Sequence, residues 1–157
     1  MEVRRIGFPW SQELVTRSRH SDGGTIAASR QVLQRGGIAF NLAGGTHHAF
    51  PDHGEGFCIF NDAAVAARVV QSEQLADNIL ILDLDVHQGN GTAAIFAGDR
   101  SVFTLSVHNG KNFPFHKEPS SLDIALPDGA GDAEYLNAVK NGLTSALDGF
   151  SLSLIHI

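Results

Sequence analysis

Residues 79–87 read ILILDLDVH, and residues 88–91 continue QGNG. The first six, apolar but for Asp83, are a run of strand length, the pattern of a strand buried on both faces. Two carboxylates and an imidazole end the run. Asp83, Asp85 and His87 stand at i, i+2 and i+4, and in extended chain that spacing puts three side chains on one face. Glycines 89 and 91 mark a tight turn behind them. Two acids and a histidine at the end of a buried strand are costly unless something pairs with them. A carboxylate and an imidazole two residues apart can grip one cation, and a mixed O/N donor set suits zinc or iron(II). The bland alternative is that the two aspartates cap the turn.

Outward from this segment, helix and strand alternate. Residues 22–35 are expected to be helical, with Ser21 or Asp22 as cap and Gly36-Gly37 as the stop. Residues 38–42 (IAFNL) read as a short strand leading into GGTHH. Residues 62–74 read as a helix capped by Asn61 or Asp62, 91–97 as a short helix, and 102–107 (VFTLSV) as a second buried strand. Residues 132–147 read as a helix with Leu136, Val139, Leu143 and Leu147 on one stripe. Strands separated by helices imply an α/β fold with a mainly parallel sheet flanked by helices. Ligands of such sheets bind beyond the carboxyl ends of the strands. The expected strand ends deliver His47 and His48, then Asp83, Asp85 and His87, then Ser106 and His108.

The bulk numbers exclude several classes. A chain of 157 residues, 43% apolar and 18% charged, is ordinary for one globular domain. No apolar run approaches the roughly 20 residues that cross a bilayer. The two arginines near the N-terminus have no apolar stretch behind them, so no secretory signal is expected. Cys58 is the only cysteine, which rules out an internal disulfide and favours a reducing, cytoplasmic setting. The net charge of −6 argues against nucleic-acid binding, and the six Lys and Arg residues before position 36 are spaced as solvated surface. Eight histidines are many for this length, and histidine is both the commonest metal ligand and the usual proton carrier near neutral pH.

Three phrases, GGTHHAFPDHGEGFCIFND, ILDLDVHQGNGTAAIF and VFTLSVH, occur in that order. Together they resemble the zinc-dependent deacetylase family, which includes histone deacetylases and bacterial acetylpolyamine and acetoin-utilisation relatives. The resemblance runs from about Ile6 to about Ala146, and NFPFHKEPSSLDIALPDGAGDAEYL is similar to the bacterial, class IV-like branch. It implies the arginase/deacetylase fold and zinc-dependent hydrolysis of an acetyl-amide, either acetyl-lysine or an acetylated small amine. By motif it implies that Asp85 and His87 are zinc ligands, with iron(II) as the alternative metal. His47 and His48 would be the catalytic pair, His48 as base toward the attacking water and then acid toward the leaving amine, and His47 protonated. Asp83 would orient His47, and Asn90 would orient His48. Gly56 would accept a hydrogen bond from the substrate amide. Phe57 and Phe113 (or Phe115) would wall a narrow tunnel beside Cys58. Asp83, Asp85, His87, Ser106 and Val107 match a structural potassium site.

The family's third zinc ligand, an aspartate, and its oxyanion-stabilising tyrosine have no counterpart here. Asp123, Asp128 and Asp132 fall in or beside what reads as a surface connection, Asp148 falls at a helix end, and His108 borders the site. Tyr135, the only tyrosine, lies in a helical stretch. Residues 1–150 are therefore expected to be a partial, incomplete domain of this family, lacking an N-terminal portion. Residues 151–157 (SLSLIHI) are expected to be a non-matching tail that is strand-like in composition, as in a truncated or frame-shifted reading. Two readings stay open: a deacetylase of which this chain is a partial record, inactive alone, and a non-catalytic metal- or acyl-binding remnant. Nucleotide binding through LAGGTHH lacks the G-x-G-x-x-G spacing. A binuclear arginase-like site lacks its second carboxylate, since Gly89 stands where it should be. Oligomeric state is not legible.

Overall fold

The computed structural model describes residues 2–157. The chain divides into two compact units, Met1–Asp77 and Asn78–Ile157.

The first unit is helical. Helix α1 spans Glu2–Ile6, α2 spans Gln12–Arg35 and α3 spans Asp62–Ser72. Helix α2 starts ten residues before the expected cap. Ser11 caps it, its side chain accepting from Leu14 N at 3.1 Å, while Ser21 and Asp22 lie buried inside the helix. The early turns escape detection because their inward residues are Ser18, Ser21, Asp22 and Thr25 rather than apolar ones. The predicted stop holds: Gly36 takes φ +72° and donates to Val32 O. Helix α3 is capped by Asn61, and its buried face of Ala63, Ala64, Ala66, Ala67 and Val70 is small enough for α2 to pack closely on it. Between the helices, residues 38–42 do not form the expected strand. No ladder partner takes them up, and Ile38, Phe40 and Leu42 are exposed.

The second unit is built on a sheet. Strands β1 (Ile79–Asp83), β2 (Val102–Asn109), β3 (Leu122–Leu126) and β4 (Leu154–His156) are all parallel, in the order β3-β2-β1-β4. Helix α4 (Asn90–Ile95) follows β1, and α5 (Asp132–Gly149) joins β3 to β4. The predicted segments 79–84, 91–97, 102–107 and 132–147 thus appear with shifted ends. Strand β3 lies where a surface connection was expected, and residues 154–156 pair with Ile79, Leu80 and Ile81. The core is formed by Leu80, Leu82, Leu105 and Val107 against Ala138 and Ala146 of α5. The helix's inward stripe is Tyr135, Ala138, Val139, Gly142, Leu143 and Ala146. Leu136 and Leu147, assigned inward from sequence, are exposed. The reason is steric: a Cβ on Gly142 would stand 2.9 Å from Ile124 Cδ1 and 3.1 Å from Leu105 Cδ2, so the closest approach to the sheet falls on the smallest residues.

The strand order reverses beside β1, which has β2 on one side and β4 on the other. In open parallel sheets that reversal point is where ligands bind, beyond the carboxyl ends. The segment leaving the carboxyl end of β1 is the one carrying Asp85 and His87.

Candidate functional site

In the second unit, β1 ends at Asp83, so Asp85 and His87 leave the strand and sit on a turn. The strand alternation expected to align them does not extend that far. A chain of short-range bonds does so instead. Asp83 Oδ1 accepts from Asp85 N at 3.1 Å, and Asp85 Oδ1 accepts from His87 N at 2.8 Å. The same Asp85 oxygen lies 2.8 Å from His87 Nδ1. The carboxylate of Asp85 and the imidazole of His87 thus engage each other directly, both half-exposed on the turn. Phe113 meets the His87 ring edge-on, with centroids 6.2 Å apart. Phe115 is exposed.

Gln88, which sequence reasoning passed over, is buried at 1% exposure. Its Nε2 donates to Glu118 O at 2.7 Å and Asp123 Oδ1 at 2.8 Å, while its Oε1 accepts from Glu118 N at 3.1 Å. These bonds clamp the turn bearing His87 to the segment that begins β3. Asn90 is buried as the first residue of α4, its N–H donating to Gln88 O at 2.8 Å.

Three of the candidate third ligands, Asp123, Asp128 and His108, are engaged by other groups. Asp123 binds Gln88 and Ser120 N, and Asp128 binds Asn109 and Lys111. His108 is buried with its Nδ1 3.0 Å from Ser106 Oγ, and burial lowers its pKa, partly offset by the charge of Asp123. Tyr135 Oη donates to Leu84 O at 3.2 Å, and burial raises its pKa. Among the described residues, no group of three or more His, Cys, Asp and Glu side chains is placed to hold a metal ion.

In the first unit, His47 and His48 lie on a loop, not after a strand. Their rings are 4.0 Å apart between centroids and tilted by 43°. His48 is 5% exposed. Gly56 takes φ +54°, and a Cβ there would stand 2.6 Å from His48 Cδ2, so only glycine lets this backbone lie against the imidazole. Phe57 also has a positive φ of 64°, a costly conformation for an aromatic residue. Its N–H donates to Ile6 O at 2.8 Å, and its ring meets Phe8 edge-on. Phe57 is nonetheless 65% exposed. Cys58 is buried, as a small apolar residue would be.

The histone deacetylase domain model matches residues 5–157, a span that includes residues 151–157. An uncharacterized protein of a Picosynechococcus strain is 52% identical over 144 residues, which cover 92% of this chain and 48% of that protein. A probable deacetylase of Methanothermobacter thermautotrophicus is 37% identical over 153 residues, covering 89% of this chain and 46% of that one. The crystal structure of an HDAC homologue from Aquifex aeolicus superposes with a TM-score of 0.83 at 31% identity, over 94% of this chain and 43% of that chain. The chain spans about half the length of the curated relatives it matches. The parallel sheet flanked by helices is the arginase/deacetylase fold, as the sequence motifs implied. With residues 5–157 of the chain matched by the domain model, the chain belongs to the histone deacetylase domain family.

Proposed function

We propose that this chain carries acid–base and metal-binding parts of a zinc-dependent deacetylase acting on acetyl-lysine or an acetylated small amine. The arrangement of His47 and His48 carries the reading: two imidazoles 4.0 Å apart, one of them buried, on a glycine-lined loop. Two imidazoles this close can act on one reacting centre, one as a proton carrier and the other as a hydrogen-bond donor to developing charge. In this reading His48 removes a proton from the attacking water and returns it to the leaving amine, and His47 stabilises the negative charge that develops. Asp85 and His87 hold the metal, with zinc fitting the donor pair and iron(II) as the alternative. Bound zinc acidifies water and polarises an amide carbonyl. Two donors are fewer than the three that a catalytic zinc normally takes from protein. The orienting roles of Asp83 and Asn90, and a potassium site on Asp83, Asp85, His87, Ser106 and Val107, belong to the same proposal. So do Gly56 as the acceptor of the substrate amide and Phe57 and Phe113 as apolar walls.

The second reading, a metal or acyl binder without turnover, is favoured by the missing third donor among the described residues. Zinc content and acetate release from an acetyl-lysine peptide, measured on the same preparation, separate the two. Stoichiometric zinc that His87→Ala abolishes, with turnover that His48→Gln lowers by roughly 100-fold or more, supports the deacetylase. Zinc without turnover supports the binder. Neither zinc nor turnover refutes both the deacetylase and the metal binder.

A further inference from the structure

Asn61 and Asp62 read locally as the cap and first-turn acid of α3, and Asn61 Oδ1 does accept from Ala64 N at 3.0 Å. That role leaves most of their bonding unexplained. Asp62 is 1% exposed, and its carboxylate faces the histidine loop rather than its own helix. Its Oδ1 accepts from Gly45 N at 3.0 Å, Thr46 N at 2.8 Å and Thr46 Oγ1 at 2.7 Å. Its Oδ2 accepts from Thr25 Oγ1 at 2.6 Å. Thr46 Oγ1 in turn accepts from Asp62 N at 3.2 Å. Asn61 Nδ2 donates to His47 O at 3.4 Å and Ala49 O at 3.3 Å, the carbonyls on either side of His48. The backbone from residue 45 to residue 49 is thus held at four groups by two adjacent side chains.

We propose that Asn61 and Asp62 are positioning residues for the histidine pair, fixing the loop from both sides so that the two imidazoles keep one mutual orientation. The inference rests on the reading of His47 and His48 as the acid–base pair only for its catalytic consequence; the positioning itself stands on the contacts. A carboxylate this buried is tolerated because four donors converge on it, three of them from the loop it orders and the fourth, Thr25 Oγ1, from α2. Gly44 completes the fit, since a Cβ there would collide with Asp62 Oδ2.

The test reads the rings directly. Imidazole carbon and nitrogen resonances of His47 and His48, assigned through His47→Gln and His48→Gln, are recorded in the wild-type chain and in Asp62→Asn, Thr46→Val and Thr46→Ser. Far-UV circular dichroism monitors folding. Thr46→Val removes the hydroxyl that bonds Asp62 twice but keeps both backbone donors, so it serves even where Asp62→Asn fails to fold. The expected result is displaced resonances of both histidines in Asp62→Asn and Thr46→Val, with wild-type positions restored in Thr46→Ser. Peptide turnover, measured in parallel, should fall by roughly 10- to 100-fold in the first two. Resonances that stay in place in the folded variants, or move equally in Thr46→Ser, overturn the proposal. Unchanged turnover in His48→Gln would instead end the acid–base reading while leaving the positioning to be judged on the resonances.

Discussion

Asp22→Asn should stabilise the protein at neutral pH and do nothing of the kind in acid. Asp22 lies inside α2 at 8% exposure, and its pKa is raised from 3.8 to about 6, first by burial and second by the charge of Asp62. The raised value means that folding favours the protonated form. The contribution is therefore intact below about pH 4, falls by about 1.4 kcal/mol per pH unit between the unfolded and folded pKa values, and is lost above about pH 6. The full interval corresponds to about 3 kcal/mol. Solvent screening at the edge of the helix packing reduces it, so the expected gain for the neutral isostere is about 1–3 kcal/mol above about pH 7. Urea unfolding followed by circular dichroism, at several pH values from about 4 to 8, measures it. The gap between variant and wild type should open as pH rises through that window and then level off. A gap that is constant with pH, or a variant less stable than wild type near neutrality, refutes the reasoning.

Gln88→Leu removes three hydrogen bonds and leaves the Glu118 peptide groups and Asp123 with fewer partners; it should cost about 2–4 kcal/mol in chemical denaturation, and a loss below about 1 would mean that the clamp is not formed in solution. Gly142→Ala adds a methyl 2.9 Å from Ile124 Cδ1. The expected net effect is about 1–2 kcal/mol of destabilisation, overpacking outweighing the gain in helix propensity, and a rise in melting temperature would show that α5 does not press on the sheet so closely.

The second unit's sheet was the more legible half of the fold, for a physical reason. A run such as 79–82 is buried on both faces, so composition alone reports it. Residues 38–42 show the converse. Ile38, Phe40 and Leu42 alternate as a strand should, but a strand exists only by pairing, and pairing is not a property of five residues. Strand β3 was missed because Asp123 and Ala125 interrupt it, although Leu122, Ile124 and Leu126 keep the inward period. Helix α2 was half missed because small and polar residues face its neighbours. Gly24 belongs to this pattern: a Cβ there would stand 2.9 Å from Asn41 Oδ1, whose amide donates to Ser21 O and Thr25 Oγ1. A helix that packs through serine, threonine and glycine carries no apolar stripe to read.

The site divides along the same line. His47, His48, Asp85 and His87 were visible because histidines and paired acids are scarce and costly to place, so their local pattern already carries chemistry. Asn61, Asp62 and Gln88 were invisible because their types are common, and each has an adequate local reading as a helix cap or a turn residue. What they do lies in contacts made 12 to 37 residues away in sequence. Yet the visible residues depend on the invisible ones. Nothing in the sequence THHA fixes the angle between two adjacent imidazoles, since neighbouring side chains on a free loop diverge. The angle is set by what holds the peptide planes at residues 45 to 49, namely the carboxylate of Asp62 and the amide of Asn61. A motif of reactive residues therefore states which chemistry a loop is equipped for, while the ordinary polar residues bonded to its backbone decide whether the loop holds the geometry that chemistry needs.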